Sequence, residues 1–196
     1  MTELIEGILK KTGGKDRSIR WFREKVKELG EVPPQRLIRE GIVTARPTFG
    51  TMNFFMYSPK NKDNVDILPY YDRFPLIMPI EQYTNGFLGL NFHYLSIPMR
   101  LKLLNIIAEY AINAKLDEKT RIRLTWNRIK RNPIVKPTVK RYLMDHVRTP
   151  FRRIDADEMM VAVLLPVQRF VRAQETRVYA DSRRIANGRN PNDRRG

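Results

Sequence analysis

The side chains best suited to acid–base or metal chemistry in this 196-residue sequence are two histidines and one acidic cluster. His93 sits between Phe92 and Tyr94, and His146 precedes Val147-Arg148. Neither has a second histidine two or four residues away, the spacing that brings two ring nitrogens to one metal. His93 therefore reads as a core or hydrogen-bonded residue, and His146 as a group at a helix C-terminus, where the helix dipole favours it. The acidic cluster is Asp155-Ala-Asp157-Glu158. A nuclease metal site needs converging carboxylates with a base beside them. These fall where a helix should begin, and carboxylates there complement the dipole. Capping is the preferred reading, and a nuclease working through Asp155 and Asp157 is the outside alternative. Asp66, Asp72 and Glu81 form no pattern that implies a mechanism. The chain has no cysteine, which removes disulfides, thiolate metal sites and cysteine nucleophiles together. No Walker loop, GxGxxG, GxSxG or HExxH occurs. No catalytic residue, metal or cofactor is expected.

The stronger signal is charge. The formal net charge is +16, with an isoelectric point near 10.3, a field that attracts polyanions without any specific contact. Residues 1–98 carry 14 lysines and arginines against 11 acids, whereas residues 99–196 carry 23 against 10. Arginine forks bind phosphate through charge and geometry without reading bases. The candidate DNA-binding residues are Arg121, Arg123, Arg128, Lys130 and Arg131 on one expected helix. Lys140, Arg141 and Arg148 follow, then Arg152 and Arg153, and Arg183 and Arg184 lie near the end. Arg189, Arg194 and Arg195 extend the charge into a basic tail. Nothing resembles a turn followed by a recognition helix, so sequence-specific regulation is not expected.

The elements that must position these residues divide the chain. The stretch Ile67–Pro98 is rich in aromatic residues and holds no lysine, with Arg73 its only strong base. Asn85-Gly86 signals a hairpin with a type I′ turn. Before it, Pro75–Ile80 reads as an apolar strand kept off the centre of a ladder by its prolines; after it, Gly86–Phe92 reads as the partner strand. Thr51–Tyr57 is strand-forming, with Phe54 and Met56 on one side and Phe55 and Tyr57 on the other. Tyr70, Tyr71, Phe74, Phe87 and Tyr94 are candidates for an exposed surface that docks on another protein.

Helices are expected elsewhere. One runs from a cap at Asp16 or Ser18 to Leu29, with Ile19, Phe22, Val26 and Leu29 on one face and Trp21 at its edge. A short one follows Pro34. The clearest begins at Ser96, has Pro98 in its first turn and aligns Leu101, Leu104, Ile107, Ala108 and Ile112. Others are expected after Asp117, from Pro137 to Arg148, from Glu158 to Leu165 and from Gln174 to Ala186, with Phe151–Ile154 extended. The expected organisation is a flexible basic lead-in at 1–16, a single α+β domain at 17–186 and a basic tail at 187–196. Within the domain a small antiparallel sheet or SH3-like barrel (about 42–95) is covered by basic helices (96–186). Apolar runs are too short to span a bilayer and the N-terminus lacks the order of a signal peptide, so a soluble protein without membrane contact is expected.

The segments RPTFGTMNFFMYSPK, LPYYDRFPLIMPI, GFLGLNFHYLSIPMRLKLL and VAVLLPVQRF, with RVYADSRR after them, resemble virion-associated proteins of T-even-type, contractile-tailed bacteriophages, of the DNA end protector family. The similarity runs from about Trp21 to Arg184. It implies a virion protein, present in the host cytoplasm during assembly, that sits on the end of the packaged genome near the portal and neck. There it would keep exonuclease off the DNA and help complete the head, alongside other phage structural proteins. Two readings follow: a non-enzymatic binder of double-stranded DNA, and a structural adaptor of neck, tail or baseplate that docks through the aromatic stretch.

Overall fold

The computed structural model describes residues 42–59, 68–111, 118–154 and 159–188. The helices expected over 16–29 and 35–40, the loop 60–64, the Asp117 cap, Asp155, Asp157 and Glu158, and the tail from residue 189 lie outside the described residues.

The chain is α+β. Six strands form one antiparallel sheet: β1 (Ile42–Thr44), β2 (Met52–Phe54), β4 (Leu76–Tyr83), β5 (Gly86–Asn91), β6 (Val139–Leu143) and β7 (Phe151–Ile154). Their order is β1-β7-β2-β4-β5-β6, with β1 and β6 at opposite edges, so the sheet is open and the barrel alternative is set aside. A two-stranded ribbon pairs β3 (Tyr71–Asp72) with β8 (Phe170–Val171). Four described helices complete the fold: α1 (Ile97–Ala111), α2 (Glu118–Ile129), α3 (Met159–Leu164) and α4 (Glu175–Ala186).

Period-two alternation gives the sheet two apolar faces. Met52, Phe54, Leu76, Leu90 and Ile154 face the helices and pack with Leu103, Ile107, Ile129 and Val163. Phe55, Tyr57, Phe87, Tyr142 and Phe151 form a separate cluster on the other face. The side assignment expected for residues 54–57 is what the two clusters show. The second face gains its cohesion from rings: Phe55 and Phe151 lie 4.8 Å apart and Tyr57 meets Tyr142 edge-on at 4.9 Å. Such pairs add about 0.5–1.5 kcal/mol each beyond area burial.

The hairpin is present, but its turn is Thr84-Asn85, with Tyr83 paired to Gly86. Asn85 does not take positive φ, so the turn is not type I′. Gly86 answers a different demand, since a Cβ there would run into the backbone of β6 at Tyr142 and Leu143. Pro79 also departs from expectation, lying in a central strand rather than off the ladder. β2 pairs β4 only at Leu76 and Ile77, and on the other side the register with β5 shifts between Pro79 and Glu81, so no regular ladder bond is lost there. The largest correction concerns residues 137–148. They form a 3-10 turn, strand β6 and a second 3-10 turn instead of a helix, because β6 supplies the hydrogen bonds that the edge of β5 lacks. His146 accordingly closes a 3-10 turn and meets Tyr57 edge-on at 6.0 Å; it is not at an α-helix end.

Candidate nucleic-acid interface

Beneath the β3–β8 ribbon lies a buried polar centre. Asp72 Oδ2 is 2.7 Å from His93 Nδ1, and both side chains are essentially inaccessible. Asn91 Nδ2 donates to Asp72 Oδ2 at 3.2 Å and to Tyr142 Oη at 2.9 Å. Asp72 Oδ1 accepts from the Phe74 amide at 3.1 Å and the Arg169 amide at 3.3 Å. One carboxylate thus fastens both strands of the ribbon to the end of β5. With no solvent route to the pair, its work is positioning.

Burial pushes the His93 imidazole below its ordinary pKa; Asp72 opposes that shift, Arg100 reinforces it and Glu175 opposes it. The neutral ring fits the geometry, because His93 Nε2 is buried without a hydrogen-bond partner and a proton there would be stranded. In the unfolded chain the ring protonates near 6.5, while the folded ring resists until lower pH, so the unfolded state binds more protons in that window. Stability should fall as pH drops below about 6.5, by up to ~1.4 kcal/mol per pH unit. Urea unfolding at pH 7.0 and 5.5 checks this; an unchanged or higher midpoint at pH 5.5 contradicts it.

Arg100, in α1, is wholly buried. Its Nε donates to Leu95 O at 2.8 Å, Nη1 faces the Val163 and Leu165 carbonyls at the end of α3, and Nη2 donates to Tyr179 Oη of α4 at 3.0 Å. A cation against the last carbonyls of a helix is favourably placed. Three helices are tied to one guanidinium. Tyr70 Oη adds a bond to Asp181 of α4 at 3.3 Å.

The surface is strongly one-signed. Among side chains whose exposure is described, fifteen lysines and arginines are exposed against three carboxylates, Glu81, Asp145 and Glu175, so the excess charge is presented outward. On α2, Arg123 and Arg128 are exposed, while the side chain of Arg121 lies outside the described residues. Past its end, Lys130 Nζ donates to Asn127 Oδ1 at 2.9 Å, and Arg131 is exposed. On β6, Arg141 is exposed, donates to Asn85 Oδ1 at 3.0 Å and stacks over Tyr83. Arg148 is exposed beside Ser58, Arg183 is exposed on α4, and Arg184 Nη1 lies 3.6 Å from Asp181 Oδ1.

Three expectations need correction. Lys140 and Arg141 lie on strand β6 rather than on a helix, whereas Arg152 and Arg153 lie on β7, extended as expected. Arg152 and Arg153 are neighbours on β7, half-buried and directed to opposite faces of the sheet. Lys140 is half-buried with Nζ 4.0 Å from the centre of the Tyr94 ring, and desolvation pulls its ammonium down to about 8, so it is turned into the protein. The aromatic candidates are also mostly interior. Tyr71, Phe74, Phe87 and Tyr94 are 6% exposed or less, and only Tyr70 is half-buried, so they do not form an open docking surface. Tyr71 and Phe87 belong to the ring cluster on the aromatic face of the sheet, whereas Phe74 packs in the helix-facing core.

Exposed cations outside the expected set are Arg46, Arg73, Lys102, Lys136, Arg169, Arg172 and Arg177, of which Arg73 and Arg169 adjoin. Both are exposed, on adjoining backbone segments joined by the Arg73 amide to the Arg169 carbonyl at 2.8 Å. The available signal was Arg73 itself, a lone strong base in the aromatic stretch. Among the described residues no group of three metal-ligating side chains converges, and no helix is long and apolar enough to cross a membrane.

Among the described residues the site is thus an α+β sheet with a cationic exterior and an Asp72–His93 pair sealed in the core. The family model of the phage T4 terminal DNA protecting protein matches residues 6–186, and the chain belongs to that family. Neither the curated proteins nor the solved structures yield a match.

Proposed function

We propose that this protein binds double-stranded DNA through its phosphates, without reading sequence, and shields the ends of a packaged phage genome. In this reading it is a non-catalytic virion protein placed near the portal and neck, where it also helps complete the head. Residues 17–186 act as one folding unit. The observation that carries the reading is the exposed excess of arginine and lysine over carboxylate, on a member of a family named for terminal DNA protection. Guanidinium forks suit phosphate oxygens, and charge-driven contact is blind to sequence.

The test is binding to a linear duplex and to a covalently closed circle of the same sequence, titrated in salt. Preference for the linear form is expected, with affinity falling steeply as salt rises. Replacing Arg121, Arg123 and Arg128 together by alanine should weaken binding on all sequences alike and reduce the salt slope by about one for each phosphate no longer neutralised. Equal binding of line and circle would remove end preference. Unchanged affinity in the triple variant would remove α2 from the interface.

A further inference from the structure

The β3–β8 register sets Tyr71 opposite Val171 and Asp72 opposite Phe170. Carried one residue further, it sets Arg73 opposite Arg169, and the 2.8 Å bond between their backbones closes that step. Directly opposed residues in an antiparallel pair project to the same side with Cα atoms roughly 5.5 Å apart when hydrogen-bonded. Two exposed arginines therefore leave adjoining, hydrogen-bonded backbone positions at the end of the ribbon. Like charges directly across a ribbon are destabilising.

Among the described residues no carboxylate relieves them. Neither side chain makes an ion pair or hydrogen bond among the described residues. Asp72, the nearest acid in sequence, is buried and turned inward onto His93, Asn91 and backbone amides. A third cation stands close by. The Tyr57 amide donates to Arg73 O at 2.9 Å, and the Arg148 amide donates to Met56 O at 2.8 Å, so the Met56–Tyr57 segment lies between Arg148 and the Arg73–Arg169 pair, and Arg148 Nη2 donates to Ser58 O at 3.3 Å. The arrangement is built, since each backbone is fixed by hydrogen bonds and the ribbon is pinned from beneath by Asp72.

We propose that the Arg73–Arg169 pair, flanked by Arg148, is a phosphate seat that grips the DNA backbone. The assignment to DNA rests on the function proposed above; the anion seat rests on the ribbon geometry. A bridging phosphate accepts from both forks and turns a repulsive pair into an attractive one.

The test uses the full chain and its Arg73→Ala/Arg169→Ala variant in two assays. In the first, duplex affinity of the variant is expected to drop about tenfold or more, with a salt slope smaller by about one. In the second, inorganic phosphate replaces chloride at equal ionic strength. Phosphate at ten times its Kd should raise the Tm of the wild-type protein by about 3 °C and leave that of the variant unmoved. In chloride alone the variant should be at least as stable as the wild type, a result that a merely structural role for the arginines would not produce. Equal duplex affinity and equal phosphate shifts in the two proteins overturn the seat. A wild-type protein that takes up phosphate but binds no duplex overturns its assignment to DNA, and with it the proposed function, while leaving the seat in place.

Discussion

Gly86→Ala is expected to destabilise the fold by about 3 kcal/mol or more, the upper range for forcing a methyl group into a packed interior. Gly86 opens β5, which is flanked by β4 and β6. A Cβ at this position overlaps the Tyr142 carbonyl and comes within 3.0 Å of Tyr142 C and 3.1 Å of Leu143 Cα. All three atoms are backbone of a paired strand, so relief requires β6 to separate from β5. That movement would also unseat Tyr142 from the ring cluster of the second face. Gly89 on the same strand is the internal control. Its added methyl would meet Ile77 Cδ1 at 3.2 Å, the far end of a flexible side chain, and Gly89→Ala should cost far less. Urea unfolding of the two variants separates the cases; equal midpoints would show that β6 does not approach Gly86 as closely as described.

Asp72→Ala should cost about 3–5 kcal/mol, the range for removing one partner of a buried charged network. The loss strands the His93 Nδ1 proton and the Phe74 amide and takes one acceptor from Asn91, all buried, and it also removes the acceptor of the part-buried Arg169 amide. Asp72→Asn keeps shape and one acceptor oxygen, so a smaller loss is expected. The effect has a functional reach, because Asp72 pins the ribbon that carries Arg73 and Arg169. In Asp72→Asn, folded at low temperature, duplex affinity should fall although no exposed cation has changed. A folded Asp72→Ala variant with wild-type stability would show that the centre is not buried as described.

What could be read from the sequence was local. The hairpin, the Ser96-initiated helix with Pro98 in its first turn and the opposite faces of residues 54–57 follow from backbone preference and alternation, and all are present. Misreadings arose where a distant partner decides. Val139, Tyr142, Leu143 and His146 satisfy a helical spacing, yet the free edge of β5 draws this segment into a strand. The aromatic stretch reads as a docking surface only until the sheet is seen to have two buried faces, one of them built from rings. Arg100 carried an unused signal, since it shares a helical face with Leu103 and Ile107, and a cation on an apolar stripe calls for buried acceptors. Most candidate phosphate-binding residues were legible as exposed charge. The pairing of Arg73 with Arg169 was not, because their juxtaposition depends on a two-residue ribbon formed across nearly a hundred residues.

The most direct measurement is an exonuclease challenge on linear duplex with and without the protein, at a salt concentration where binding is complete. The account predicts that degradation from the ends is blocked and that protection weakens as salt rises. Degradation at the unprotected rate, with the duplex demonstrably bound, would contradict it and reduce the cationic surface to general attraction for DNA.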